Sequence, residues 1–341
     1  MAQIVDHLAE LTGLRDRDLL DTTLVTALRE LLNPRSVAVC HCVGEDTSAR
    51  WLVRARLATG DVAAQTDAAW CEVDDLPPID QFPARANCLR QQEPVEVAGL
   101  THWTLYPLLT DRGAVGVLEI ESETDLDADQ LRMISSLLRI YRNVQGLLDY
   151  SERDVLTGLL NRKTFDESFY KVTAAVPALK ANTADRRGEA IIRIPYLGVI
   201  DIDHFKRVND NFGHLMGDEV LLLMSRLMRA SFRFQDRLYR FGGEEFVVLL
   251  RCGSDEDATA AFERMRVNTE AYAFPQVGRI TVSIGFTCVN GGDSASEAFA
   301  RADKAVYWAK DHGRNCVANY SLLVASGELQ AEDRSGDVEL F

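Results

Sequence analysis

The stretch Arg240-Phe241-Gly242-Gly243-Glu244-Glu245-Phe246-Val247-Val248-Leu249-Leu250 constrains this chain more than any other. Asp236 to Phe241 mixes polar and apolar side chains. Phe246 to Leu250 is an unbroken apolar run, as expected of a buried strand. A Gly-Gly pair tolerates positive φ at both central positions of a two-residue turn, so the sequence predicts a tight hairpin centred on Gly242 and Gly243. Glu244 and Glu245 then concentrate negative charge on a rigid support. In isolation such a motif reads as a turn with solvated acids.

Four other clusters make the bland reading harder to hold. Asp154-Val155-Leu156-Thr157-Gly158-Leu159-Leu160-Asn161-Arg162 reads as a turn entering a helix. Leu197 to Asp210 begins as a buried strand and ends in carboxylates, among them Asp201. Phe212-Gly213-His214-Leu215-Met216-Gly217-Asp218 leads into an apolar helix, Val220 to Met228, and Ala302 to Asn315 carries Lys310 and Arg314. An acid closing an Ile-rich buried strand costs free energy unless it is bound or solvated. Asp201 and a hairpin-tip Glu244 beside it would suit Mg²⁺, a hard ion that takes oxygen ligands and shares its sphere with substrate phosphates.

The chain has 341 residues, about two domains' worth, with 47% hydrophobic and 26% charged residues, which is ordinary for a globular protein. A net charge of −15 argues against nucleic acid or an anionic membrane as the main partner, so any phosphate ligand must be held by local cations or a metal. The apolar stretches are too short to span a bilayer and Met1 to Asp6 has no signal-peptide pattern, so a cytoplasmic location is expected. The seven cysteines, Cys40, Cys42, Cys71, Cys88, Cys252, Cys288 and Cys316, form neither a disulfide framework nor a CxxC pair. In Cys40-His41-Cys42 a strand would turn the cysteines to one face and the histidine to the other, which favours core packing over a metal site.

The expected fold class is α+β. Residues 1–125 start with a helix, Asp16 to Leu32, and continue as strands at Val37–Cys42, Trp51–Leu57, Glu93–Val97, Trp103–Leu109 and Ala114–Ile120. Residues 126–154 read as one long linking helix. Ile134, Leu137, Tyr141, Val144 and Leu148 recur at spacings of three and four, the seam of a dimeric coiled coil or of a terminal helix packed on its own domain. Residues 155–320 hold the motifs, and 321–341 is an acidic segment expected to be a mobile tail.

In residues 155–320 the clusters, in order and with GGEEF at the hairpin, resemble the GGDEF family of diguanylate cyclases. The resemblance implies a central antiparallel-containing sheet flanked by helices, similar to nucleotidyl cyclase and polymerase palm domains. It implies a homodimer that condenses two GTP into cyclic di-GMP and pyrophosphate. On this resemblance Asp201, the backbone carbonyl of Ile202 and Glu244 hold Mg²⁺ (or Mn²⁺), with Glu245 as a contact for a second ion. Glu244 is the candidate general base, with water as the alternative. Asn209 and Asp218 match the positions that read the guanine edge, although Asp218 could instead cap its helix. Phe205 and Lys206 match positions near the triphosphate, and His214 matches one near the substrate. Lys310 and Arg314, read as one helical turn apart, match the phosphate-binding cations.

Arg233-Phe234-Gln235-Asp236 stands at the offset of the family's RxxD product-inhibition site, with Arg264 or Arg266 completing it from the next helix. The segment between Arg162 and Asp201 is longer than the family pattern, with polar Ala181 to Glu189 and Pro195 just before the strand. Pro107-Leu108-Leu109 through Gly113 to Gly116-Val117-Leu118 resembles the last strands of GAF domains, with a PAS domain as the competing reading. That resemblance implies a sensory domain for an unknown small-molecule or protein signal. The rival functions are a catalytically silent receptor for GTP or cyclic di-GMP, and a cyclase for another nucleotide, which Asn209 and Asp218 disfavour.

Overall fold

Alternating apolar positions in the N-terminal half become a five-stranded antiparallel sheet. The computed structural model describes residues 2–14, 16–44, 49–67, 73–110, 113–174 and 193–330. They divide into two units, Met1–Ser151 and Glu152–Phe341. The first contains helices α1 (Ala2–Gly13), α2 (Arg17–Leu32), α3 (Pro83–Gln91) and α4 (Ala128–Glu152, whose last residue belongs to the second unit). Its strands are β1 (Ser36–Val43), β2 (Arg50–Ala58), β3 (Val95–Ala98), β4 (His102–Thr110) and β5 (Gly113–Ser122), in the order β2-β1-β5-β4-β3. Asp16 caps α2 by accepting from the Asp18 N–H, and Asn33 ends it in the left-handed region.

Each sheet face has its own core. On one, Val37, Val39, Leu118 and Ile120 meet Leu20, Leu24 and Leu28 of α2. On the other, Cys40, Trp51, Leu105 and Val117 pack with Cys88 of α3, and Cys42 joins them. Burial pushes the Cys40 and Cys88 thiols up to about 12, as expected of packing side chains rather than reactive ones.

The apolar seam of α4 is consumed inside its own domain. Ile134, Leu137, Tyr141, Val144 and Leu148 are all buried in the α2-side core. Burying each such side chain is worth about 1.5–3 kcal/mol, so this seam is not available to a second copy. A polar hub fixes the helix further. The Tyr141 hydroxyl donates to buried Asp21, which also accepts from Arg54 Nε at 3.2 Å. Gln145 Nε2 donates to the Tyr141 hydroxyl at 2.7 Å. Spacings of three and four say that one helix face is apolar, not whose core it enters.

The second unit contains β6 (Leu160–Asn161), α5 (Arg162–Ala174), β7 (Ile194–Ile202), α6 (Phe205–Phe212), α7 (His214–Ser231), β8 (Arg237–Gly242), β9 (Glu245–Cys252) and α8 (Asp255–Ala271). It continues with the short pair β10 (Ala273–Phe274) and β11 (Gly278–Arg279), then β12 (Val282–Cys288), α9 (Ala295–Asp311), β13 (Val317–Asn319) and α10 (Tyr320–Ala325). The main sheet runs β13-β12-β7-β9-β8-β6, antiparallel through its centre and parallel at both edges.

Two glycines let helices approach this sheet closely. A Cβ on Gly198 of β7 would lie 2.2 Å from the Phe262 ring of α8. A Cβ on Gly285 of β12 would lie 2.3 Å from both Ala302 O and Val306 N of α9. The facing side of α9 is small, with Ala298, Ala302, Ala305 and Ala309 all buried. Pro195 lies inside β7, paired with Arg251, rather than before the strand. Ala181 to Glu189 lie outside the described residues. The expected tail begins later than residue 321, because α10 buries Leu323 and backbone bonds to Leu323 extend to Leu329; residues 331–341 lie outside the description. Among the described residues no helix is long and apolar enough to cross a membrane.

Candidate active site

Register brings the acids together. Asp201, near the end of β7, pairs directly with Glu245 at the start of β9. On its other side β12 places Ser283 opposite Asp201. The β8–β9 turn differs by one residue from the expected Gly-Gly centre. Gly242 pairs with Glu245, leaving Gly243 and Glu244 as the two turn residues, and the ladder slips between Arg240 and Gly242. Gly242 (φ 144°) and Gly243 (φ 52°) both have positive φ.

Aromatic packing explains the slip. Phe241 is wedged between Phe165 of α5 and Phe299 of α9, with ring centroids 4.9 and 5.0 Å away, and the Arg162 guanidinium lies over it. Arg240 then clamps the tip. Its Nε and Nη2 donate to the Gly243 carbonyl at 3.2 and 2.9 Å, and Nη1 donates to both Asp154 oxygens at 3.0 and 3.1 Å. Asp154 also accepts from the Thr157 N–H and hydroxyl at 2.8 and 2.7 Å. The Asp154–Arg162 cluster therefore braces the hairpin, a role that its reading as a helix-entering turn does not convey.

Lys310, in the last turn of α9, places Nζ 2.8 Å from Asp201 Oδ2. Burial pushes the Asp201 carboxyl above its usual range, with Lys310 opposing the shift and Asp203 and Asp303 adding to it. Burial also raises Glu244 and Glu245, each further raised by the Asp201 charge and lowered by Lys310. Partly desolvated acids that resist ionising together suit a cation held by oxygen donors. Among the described residues no three His, Cys, Asp or Glu side chains are grouped closely enough to hold an ion by themselves. An ion bound here would draw part of its sphere from water or substrate.

Around this centre the structure sorts the remaining candidates. Ile202 is buried at the end of β7. After it the chain turns at His204 (φ 58°) and enters α6 at Phe205, which is buried, and Lys206, which is exposed; the first N–H groups of a helix lack intrahelical acceptors. Asn209 and Asp218 belong to neighbouring helices, and α7 approaches so closely that a Cβ on Gly217 would lie 2.0 Å from Asn209 Oδ1. Asp218 does not cap its helix. The helix starts at His214 after Gly213, so Asp218 is exposed in the second turn, and His214 is exposed at the first position.

Arg314 is not one helical turn along from Lys310 in a continuous helix. The helix α9 ends at Asp311, Gly313 has φ 104°, and Arg314 has φ 63° beyond it. Gly313 was the available signal, since glycine favours the left-handed step that ends helices.

Asp203 is a residue that sequence reasoning left without a role. Buried one residue beyond β7, it accepts from Thr281 Oγ1 at 2.7 Å, Ser283 Oγ at 2.7 Å and the Asn315 N–H at 3.1 Å. It thereby anchors the loop that carries Arg314. The Arg233–Asp236 turn is closed by the Arg233 N–H donating to Asp236 Oδ2 at 2.8 Å. Arg264 Nε donates to the nearby Ser231 carbonyl at 2.9 Å, whereas Arg266 instead bonds Glu263, Glu270 and Asn315. This turn precedes β8 and the Gly-Gly hairpin follows it, so the two are separated by a six-residue strand, roughly 17 Å.

Sequence comparison agrees with the geometry. The profile described as "Diguanylate cyclase, GGDEF domain" matches residues 151–316, and this segment of the chain is a GGDEF domain. Diguanylate cyclase DgcP of Pseudomonas aeruginosa is 41% identical over 165 residues, 48% of this chain and 23% of that protein. Diguanylate cyclase DgcM of Escherichia coli is 37% identical over 167 residues, 49% of this chain and 38% of that protein. The chain thus spans well under half the length of either relative. A crystal structure of the coiled coil and GGDEF domain of DgcB from Caulobacter crescentus, in complex with c-di-GMP, is 28% identical, covers 56% of this chain and 97% of its own, and has a TM-score of 0.47.

Proposed function

We propose that this protein is a diguanylate cyclase that joins two GTP molecules into cyclic di-GMP and releases two pyrophosphates. The observation that carries the reading is the convergence of Asp201, Glu244, Glu245 and Lys310 at one end of the sheet of a GGDEF domain. In this reading Asp201, the Ile202 carbonyl and Glu244 hold Mg²⁺, or Mn²⁺ in its place, and Glu245 faces a second ion. When bound, the metal lowers the pKa of the ribose 3′-hydroxyl and offsets charge developing on the α-phosphate.

Glu244 takes the 3′-hydroxyl proton. Its partial burial beside Asp201 raises its basicity and suits it to that task. Asn209 and Asp218 receive the guanine edge between α6 and α7, and His214 flanks the substrate. The backbone at Phe205 and Lys206 cradles phosphate, with Lys310 and Arg314 supplying positive charge. Each domain holds one GTP, so turnover needs two copies face to face, and the protein acts as a homodimer.

The first unit, a GAF-like or PAS-like sheet-and-helix domain, receives a small-molecule or protein signal and shifts the population of productive pairs. Cyclic di-GMP binds at Arg233, Asp236 and Arg264 and inhibits from the far end of β8. The test is purified protein with Mg²⁺ and GTP or ATP, the products being resolved by chromatography. Cyclic di-GMP formed only from GTP, and lost in Glu244→Gln, supports the reading. Absence of turnover in a dimeric preparation stripped of bound product refutes it. Arg233→Ala should relieve inhibition by added cyclic di-GMP.

A further inference from the structure

We infer that Lys310 is an exchangeable counter-ion. It holds the Asp201 carboxylate until a nucleotide phosphate draws it away, and the oxygen it releases then becomes available to the metal. This rests on the proposed function.

The pair is asymmetric. The Asp201 side chain is 7% exposed and fixed on a central strand, whereas the Lys310 side chain is 32% exposed at the end of a helix. The lysine is the freer partner of the two. Its ammonium is a point charge on a four-carbon arm and needs no fixed fork geometry, so it can exchange a carboxylate for a phosphate. An oxygen whose charge is already offset by an ammonium 2.8 Å away is a weaker ligand for Mg²⁺, because the two cations repel across it. Lys310 and the metal therefore compete for Asp201 Oδ2.

Two further features favour the exchange. Asp203 and Asp303 add negative potential at Asp201, so the site attracts a second cation once Lys310 leaves. Arg314 sits on the following loop, which the Asn315 N–H ties to Asp203, and brings another positive charge to the same stretch of chain. Phosphate arriving there would remove one cation from the carboxylates and make room for another. By linkage, nucleotide would then tighten metal binding by the same factor as metal tightens nucleotide binding, typically about 5–150-fold.

This makes an opposite-signed prediction for one substitution. In the full chain, Lys310→Met should bind Mn²⁺ alone at least about fivefold more tightly than wild type, measured by the electron paramagnetic resonance of free Mn²⁺. The same variant should bind a non-hydrolysable GTP analogue more weakly in EDTA, measured by calorimetry. Mn²⁺ affinity that is unchanged or weaker in a folded Lys310→Met protein overturns the inference. Asp201→Asn supplies the reciprocal test and decides the matter if Lys310→Met does not melt cooperatively. By freeing Lys310 it should tighten analogue binding in EDTA, and unchanged or weaker binding there overturns the inference. Wild-type protein that binds neither Mn²⁺ nor the analogue would refute the proposed function as well. Wild-type binding of both with no effect of either variant refutes the exchange alone.

Discussion

Replacing Gly285 by alanine should cost far more than the loss of one hydrogen suggests. The new Cβ would lie 2.3 Å from Ala302 O and Val306 N and 2.7 Å from Ala305 C, all backbone atoms of α9. Ordinary contact needs about 3.5 Å, so α9 must retreat by about 1 Å along its centre. No side-chain rotation relieves this, because the obstructing atoms belong to a hydrogen-bonded helix. Overpacking of this kind typically costs about 1–3 kcal/mol. The shift also falls one turn before Lys310, whose Nζ is 2.8 Å from Asp201, so the ion pair should lengthen as stability falls. Amide exchange of peptides from β12 and α9 across a urea series reads the stability of this unit separately from the other. Gly291→Ala is the control, since a Cβ there meets nothing within 4 Å. If Gly285→Ala were as stable as wild type and as stable as that control, the close helix–sheet approach would not hold as described.

Three other outcomes follow from the buried polar groups. Burial raises the Asp154 carboxyl, but Thr157 and Arg240 outweigh it and hold its pKa below the usual value. Its stabilisation is therefore complete above the unfolded pKa of about 3.9 and is lost as pH falls through the folded one. Asp154→Asn should lower stability at neutral pH and flatten that acid limb in urea titrations between about pH 2 and 5. Glu245 has the opposite sign: burial, Asp201 and Asp303 raise its pKa, so its ionised form opposes folding. Glu245→Gln should raise the unfolding midpoint at pH 7 while impairing turnover, with the gain shrinking as pH falls; a lower midpoint would contradict the electrostatics. Tyr141→Phe removes a donor from Asp21, which is 1% exposed, and should cost about 1.5–3 kcal/mol in urea unfolding of the first unit.

Much of the second unit was legible because its signals are local. Apolar runs at Leu197–Ile200 and Phe246–Leu250 became central strands, and the acids at their ends became neighbours through register. What could not be read depended on partners distant in sequence. The turn moved by one residue because Phe241 is held between Phe165 and Phe299, which lie far away on either side in the chain. The seam on α4 has the same spacing whether it meets Leu24 and Leu28 or another copy of itself. The end of α9 is different. There Gly313 offered a local warning that the lysine and arginine do not continue on one helix.

The acidic centre explains why the packing around it is so unforgiving. Burial raises the carboxyls of Asp201, Glu244 and Glu245, and the Asp201 charge raises both glutamates further, so each opposes folding when ionised. That opposition must be offset by contacts that keep the hairpin and α9 from relaxing apart. The structure provides them on three sides. The Phe241 wedge holds the strand, the Arg240 fork holds the tip, and the glycine-to-alanine contact of β12 with α9 keeps Lys310 within reach. Loosening any of these lets the carboxylates find water, which would stabilise them individually and separate them as a cation site. The positions most sensitive to substitution should therefore include residues that carry no charge and touch no ligand, with Gly285 and Phe241 foremost among them.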